Sequence, residues 1–382
     1  MTIVVRCGTL FDGTGCDPVP GGEVVVEDGK IVAGPAPEGA EVIDLGSRFV
    51  MPGLIDAHTH LSVVPGRGDQ LGQFRQEPGR QALRVVDNLR RDLAAGSTTL
   101  RIMGEEDWLD VYTREAIEAG HLEGPNLLIA TRPIAASNGH GRMKSSFDGP
   151  DAIRSAAREN LFRGADFLKL FATGGVASGT GLQSSGYSLE EMRAAVEEAD
   201  RAGTYVAAHA HGGPGLTTCV EAGVRTIEHA AVASEAEVEA MLDAGCWLVG
   251  TFSILFHPQG IEQGDGGNPL ILENLKQARE RVTERMEQIL RSGLRFALGT
   301  DSMHGEMAFE IQTAMRFGVS AKDALLAATA RGAEALRIDS RAGTLEPGKD
   351  ADLIALDGNP LEDPGALERV VFVMKGGKPY DG

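Results

Sequence analysis

Apolar positions along the chain follow two rhythms, one at both ends and another between them. In GEVVVEDGKIVAG, two apolar runs flank Asp28-Gly29, a dipeptide suited to a tight hairpin turn. Residues 1 to about 50 read as β structure, and so do the last 40 or so, with the short β-rich runs ADLIALDG and RVVFVMKGGKP. Between them, from Phe49 to about Leu336, short apolar runs alternate with stretches whose apolar residues recur at helical spacing. The runs FVMPGLIDAHTH, STTLRIM, NLLIA, DFLKLFA, YVAAHA, RTIEHA, CWLVGTF and LRFALGTD open eight strand-then-helix units. Gly96, Gly120, Gly164, Gly203, Gly223, Gly245 and Gly293 mark helix ends. Eight consecutive units predict an α/β chain built as a (β/α)8 barrel. The alternative is an open doubly wound sheet, but no glycine-rich phosphate fingerprint follows the first strand.

Length and charge narrow the partners. The chain has 382 residues with a formal net charge of −19, which disfavours nucleic acid and anionic membranes and leaves a small-molecule substrate. The four cysteines (Cys7, Cys16, Cys219, Cys246) lack metal or disulfide spacing and suit a reducing compartment. MTIVVRCGTLFDG shows no charged region followed by a long apolar stretch, so a cytoplasmic protein is expected, as a homo-oligomer.

The polar residues that interrupt the apolar runs carry the chemistry. In a barrel the active site lies at the C-terminal ends of the strands. His58 and His60 end strand 1, where residues two apart share a face. His209 ends strand 5, His229 ends strand 6 and Asp301 ends strand 8, while Lys169 sits within strand 4. Imidazoles and a carboxylate converging at one mouth suit a metal ion. A lysine among Phe167, Leu168, Leu170 and Phe171 is expected to have a lowered pKa, exposing a neutral amine that carbon dioxide converts to a carbamate.

These motifs together (PGLIDAHTH, KLFATGG, HAHG, TIEH, LGTD and the closing GTLEPGKDADLIALDGNP) resemble the amidohydrolase superfamily over nearly the whole chain. The resemblance implies a metal-bearing barrel, residues 53–340, flanked by a small β-sandwich from residues 1–52 and 341–382. It implies that His58, His60 and Asp301 hold one divalent metal, that His209 and His229 hold a second, and that carboxylated Lys169 bridges both. The metals implied are zinc, with manganese, cobalt or iron as alternatives. KLFATGGVAS, NGHG and HAHG look most like the Xaa-Pro dipeptidase, carboxypeptidase and imidazolonepropionase-related branch. Two departures, Arg101-Ile102 for an Arg-Asp pair and Ser137-Asn138-Gly139-His140-Gly141 for TGGHG, are expected on the substrate side.

The activity expected is hydrolysis of an amide-type C–N bond in a small molecule, such as an N-acyl amino acid or a Xaa-Pro dipeptide, by a metal-bridging hydroxide. Asp301 serves as general base and then acid, and His140 polarises the carbonyl. The alternatives keep the site but cleave a carbamate, aryl urea, lactone or phosphotriester. A deaminase is disfavoured, because that group usually lacks the strand-4 lysine and carries a glutamate shortly after the strand-5 histidine, where this chain has His211-Gly212. A non-catalytic scaffold is disfavoured by the complete ligand set. His140, His211, Arg142, Tyr187 and His304 are the substrate-binding candidates, and GIEQGDGGNP reads as a mobile lid or an ordinary flexible loop.

Overall fold

The computed structural model describes residues 2–178 and 180–380. Eight parallel strands form the barrel: Leu54–Thr59, Ser97–Ile102, Asn126–Ile129, Leu168–Phe171, Val206–Ala210, Thr226–His229, Trp247–Gly250 and Arg295–Leu298. Their ladders run 1-2-3 and 4-5-6-7-8. Two seams close the ring. Ile134 bridges Leu170 in parallel, with its N–H donating to Lys169 O at 2.8 Å and its carbonyl accepting from Phe171 N at 2.9 Å. At the other seam Asp301 N donates to His58 O at 2.7 Å.

Each strand is followed by a helix on the outside, the longest being Pro269–Arg291. The seven glycines expected at helix ends all have positive φ, between 67° and 94°, a region that carries no steric penalty for glycine alone. The strands are buried along almost their whole length, as parallel strands covered by helices must be.

The chain ends build two further sheets. One orders the strands Lys30–Val32, Glu23–Glu27, Thr2–Arg6 and Glu41–Asp44. The other joins Lys378–Pro379, Val370–Lys375, Leu353–Leu356, Phe49–Pro52, Thr9–Leu10 and Val19–Pro20. Val5, Val24, Val26, Val50, Leu353 and Met374 form a common apolar cluster, so the two sheets enclose a core as a β-sandwich. Asp28 (φ 49°) and Gly29 (φ 81°) make the hairpin turn read from the sequence.

The sandwich strand Phe49–Pro52 runs through Gly53 directly into barrel strand 1. A Cβ at Gly53 would stand 2.1 Å from Thr98 Oγ1, so only glycine lets strand 1 lie against strand 2 here. The segment expected as a lid contains a short helix, Ile261–Asp265, docked on the loop after strand 1, where Asp69 N donates to Asp265 Oδ1 at 2.7 Å. Among the described residues no helix is long and apolar enough to cross a membrane.

Candidate metal centre

Strand alternation carries Asp56, His58 and His60 to the barrel interior on one face. Asp56 ties that strand to strand 8: its Oδ1 accepts from His58 N and Thr300 N, both at 3.0 Å, and its Oδ2 from Thr300 Oγ1 at 2.6 Å. Gly299 makes the approach possible, since a Cβ there would lie 2.4 Å from His58 N. The result places Asp301 Oδ1 3.4 Å from His58 Nε2 and 3.8 Å from His60 Nε2. Among the described residues these three side chains form a group whose ligand atoms all lie within 4.8 Å of one another, a spacing that can hold a metal ion.

His229 follows inward-facing Glu228, so regular alternation would turn it away from the interior. Its φ of 76° swings it to the mouth instead, and Asp301 turns with φ 49° at the end of strand 8. Left-handed backbone at bulky residues costs of order 1–3 kcal/mol and clusters at functional sites. The rings of His209 and His229 then stand 4.6 Å apart between centroids, and His58 lies 4.8 Å from His229.

Each of the four histidines is held by one ring nitrogen and presents the other. His58 Nδ1 lies 2.7 Å from Glu228 Oε2, and His60 Nδ1 lies 3.0 Å from Gly104 O. His209 Nε2 lies 3.0 Å from Gly174 O, and His229 Nδ1 lies 2.7 Å from Thr251 Oγ1. An acceptor on one nitrogen fixes the tautomer and leaves a lone pair on the other, the arrangement typical of metal-ligating imidazole. Burial, foremost, pushes His60 down to about 3 and holds His209 and His229 well below the ordinary histidine value, so these rings are neutral near pH 7. Burial also opposes the charge on Asp301, but His58, His60 and Lys169 outweigh it and keep the carboxyl well below the usual range.

Lys169 is fully buried, and its Nζ has no hydrogen-bond partner. It lies 4.8 Å from the Phe171 ring centroid. Burial lowers its pKa to about 8 against the pull of Glu228 and Asp301, leaving an appreciable neutral fraction. His140 and His211 add to the polar lining: both rings pack on His209, at 4.6 and 4.7 Å, and each Nδ1 is buried without a partner. Burial brings them to about 3 and about 4.

The remaining expected substrate residues lie elsewhere. Tyr187 is buried behind the loops, its hydroxyl donating to Phe147 O at 2.8 Å. Arg142 is exposed and donates to Ser137 O at 3.2 Å. His304 is occupied by Asp92 Oδ2 at 2.8 Å and Val63 O at 3.2 Å. None of the three lines the cavity over the centre. Arg101 also departs from expectation: it lies wholly inside the barrel, with its Nη2 2.8 Å from both Glu228 oxygens and its Nε donating to Ala57 O at 2.6 Å. Thr226 Oγ1 also donates to Glu228. Burial opposes ionisation of Glu228, yet Arg101 and His58 hold its carboxyl at about 2. Glu228 and Asp56 are therefore supports that motif reading missed. The available signal was their type: each is a carboxylate inside an apolar strand, one residue before His229 and two before His58.

The Amidohydrolase family profile matches residues 49–380. An ochratoxinase from Aspergillus niger is 28% identical over 433 residues, spanning 99% of this chain and 86% of the fungal enzyme. Among solved structures, a Xaa-Pro dipeptidase with methionine bound in its active site superposes with a TM-score of 0.92 at 28% identity, over 100% of both chains. A prolidase complexed with N-methylphosphonate-L-proline gives 0.91 at 28% identity, over 100% of this chain and 99% of that one. The chain belongs to the amidohydrolase family and is a metal-dependent hydrolase.

Proposed function

We propose that the protein is a binuclear hydrolase that cleaves an amide-type C–N bond in a small molecule. The observation that carries this reading is the set of four histidines, each anchored through one nitrogen, gathered around Asp301 and a buried, unpartnered lysine. The donors fit a pair of divalent cations. Three of them, from His58, His60 and Asp301, already cluster for one ion, and His209 with His229 supplies two imidazoles for the other. The orphaned amine of Lys169 fits as a bridge once carbon dioxide adds to its neutral form, creating the N–C bond of a carbamate and releasing one proton. Zinc suits the nitrogen-rich donor set, with manganese, cobalt or iron as substitutes.

When bound, the cations supply a nucleophilic water at neutral pH and polarisation of the scissile carbonyl. Asp301, ionised at neutral pH, accepts the proton of the attacking water and delivers it to the leaving nitrogen. His140 donates to the carbonyl oxygen as negative charge develops there. The names of the related prolidase and dipeptidase support an amide bond as the target. N-acyl amino acids and Xaa-Pro dipeptides match that chemistry, but their free carboxylate calls for a cationic partner on the pocket wall. Turnover of matched amides, carbamates, aryl ureas, lactones and phosphotriesters by zinc-supplied protein tests the reading. The highest kcat/KM is expected on an amide. A lactone or phosphotriester cleaved far faster than every acyl–nitrogen substrate contradicts it.

A further inference from the structure

Above the centre lies a cavity of about 70 Å³, partly open to solvent. Its floor carries the histidines, Asp301 and Lys169, and most of its other lining residues are apolar. One wall is Val63, Phe74 and Met143, which form a small cluster of their own, cut off from the main core. Phe74 stands edge-on to His60, with ring centroids 5.2 Å apart. All three are almost wholly buried and line the cavity, where a bound group would meet them. A second apolar wall is Ile254, Leu255 and Ile261, supplied by the loop after strand 7 and its docked helix.

No cation stands on either wall. Among the described residues lining the cavity, Lys169 on the floor is the only lysine or arginine. The basic residues of the loop after strand 3 are engaged outside: Arg132 with Glu159, Arg142 with Ser137 O, and Lys144 with Asp107. Gln70 Nε2, buried without a partner at the rim, adds a neutral donor and no charge. A carboxylate placed between these walls would lose its hydration, gain no guanidinium or ammonium, and face Asp301 across the floor.

Resting on the amide-hydrolase reading, we infer that the substrate group seated between these walls is apolar and uncharged, an aryl or alkyl moiety, and that the site discriminates against a carboxylate there. The cluster of Val63, Phe74 and Met143 gives such a group an apolar surface to cover, and the absence of a wall cation penalises a charged analogue. Such a pocket differs from one built for a free amino-acid carboxylate.

The test uses two matched pairs on zinc-supplied, full-length protein. One pair, 4-propylacetanilide and 3-(4-acetamidophenyl)propanoate, carries the variable group on the amine side. The other, 4-propylbenzamide and 3-(4-carbamoylphenyl)propanoate, carries it on the acyl side. Calorimetry reads binding and product release reads turnover. The neutral member of at least one pair is expected to bind about 100-fold more tightly than its carboxylate twin. Leu71→Arg, which sets a guanidinium on the half-buried rim position Leu71, is expected to narrow that preference about tenfold. Equal or tighter binding of the carboxylate member in both pairs overturns the inference whether or not either amide is cleaved. Absence of turnover with every amide speaks only against the hydrolase reading, because the binding preference is measured separately.

Discussion

His58 Nδ1 and Glu228 Oε2 lie 2.7 Å apart in the barrel interior, and through that contact a candidate metal ligand is joined to a fully buried ion pair. Glu228 takes both of its oxygens to Arg101 Nη2 at 2.8 Å. The carboxylate thus fixes the His58 tautomer while its own charge is balanced from below. Glu228→Gln strands the Arg101 guanidinium without a counter-charge. Breaking a buried pair in this way costs about 3–5 kcal/mol, and losing the acceptor behind a ligand costs about 10–100-fold in metal affinity. Urea unfolding and zinc titration of the variant should register both losses; a variant of wild-type stability and affinity removes Glu228 from this role.

Lys169 separates stability from function. Its buried Nζ has no partner, so Lys169→Met exchanges an unsatisfied polar group for an apolar one of similar shape. Metal-free protein carrying Lys169→Met is expected to be more stable than wild type by about 1–3 kcal/mol. The same variant should lose bridged metal and turnover. A less stable metal-free variant shows instead that the amine is satisfied in the folded protein.

His140 is expected to act on the reaction and to leave the metal in place. It packs on His209 with 4.6 Å between ring centroids, while its Nδ1 has no protein partner. His140→Ala should retain its metal and lower kcat about 10²–10³-fold, the usual effect of removing one oxyanion donor. Loss of metal in that variant would instead assign His140 to the ligand set.

His304 and Asp92 make a buried pair whose pH dependence has a definite sign. Burial works against the charged imidazole, but Asp92 outweighs it and raises the pKa above the ordinary 6.5. The folded protein therefore holds a proton that the unfolded chain releases once the pH passes about 6.5. The stabilisation is complete below that pH and is lost as the pH rises through the folded value. Comparing urea midpoints of wild type and His304→Gln, the gap should be wider at pH 6 than at pH 8.5. A gap that widens with pH contradicts the pairing.

The barrel was legible because buried parallel strands and covering helices impose different apolar periods, and glycines end the helices. His58, His60 and Asp301 were legible because a polar side chain at the end of an apolar strand has few structural uses. The wall residues were not. Arg142, Tyr187 and His304 are polar residues in catalytic-face loops, and linear spacing does not say that Asp92 faces His304 or that Phe147 O accepts from Tyr187. Arg101 misled for a related reason: an arginine within an apolar strand is tolerable only beside a buried carboxylate, and Glu228 lies 127 residues away in the chain.

The proposed hydrolase needs two metal ions in one chain, and the ions can be counted. Elemental mass spectrometry of zinc-supplied, extensively dialysed protein should give close to two ions per chain, with activity rising and falling with occupancy on chelation and refilling. Full hydrolytic activity with one ion per chain, or with none, contradicts the account.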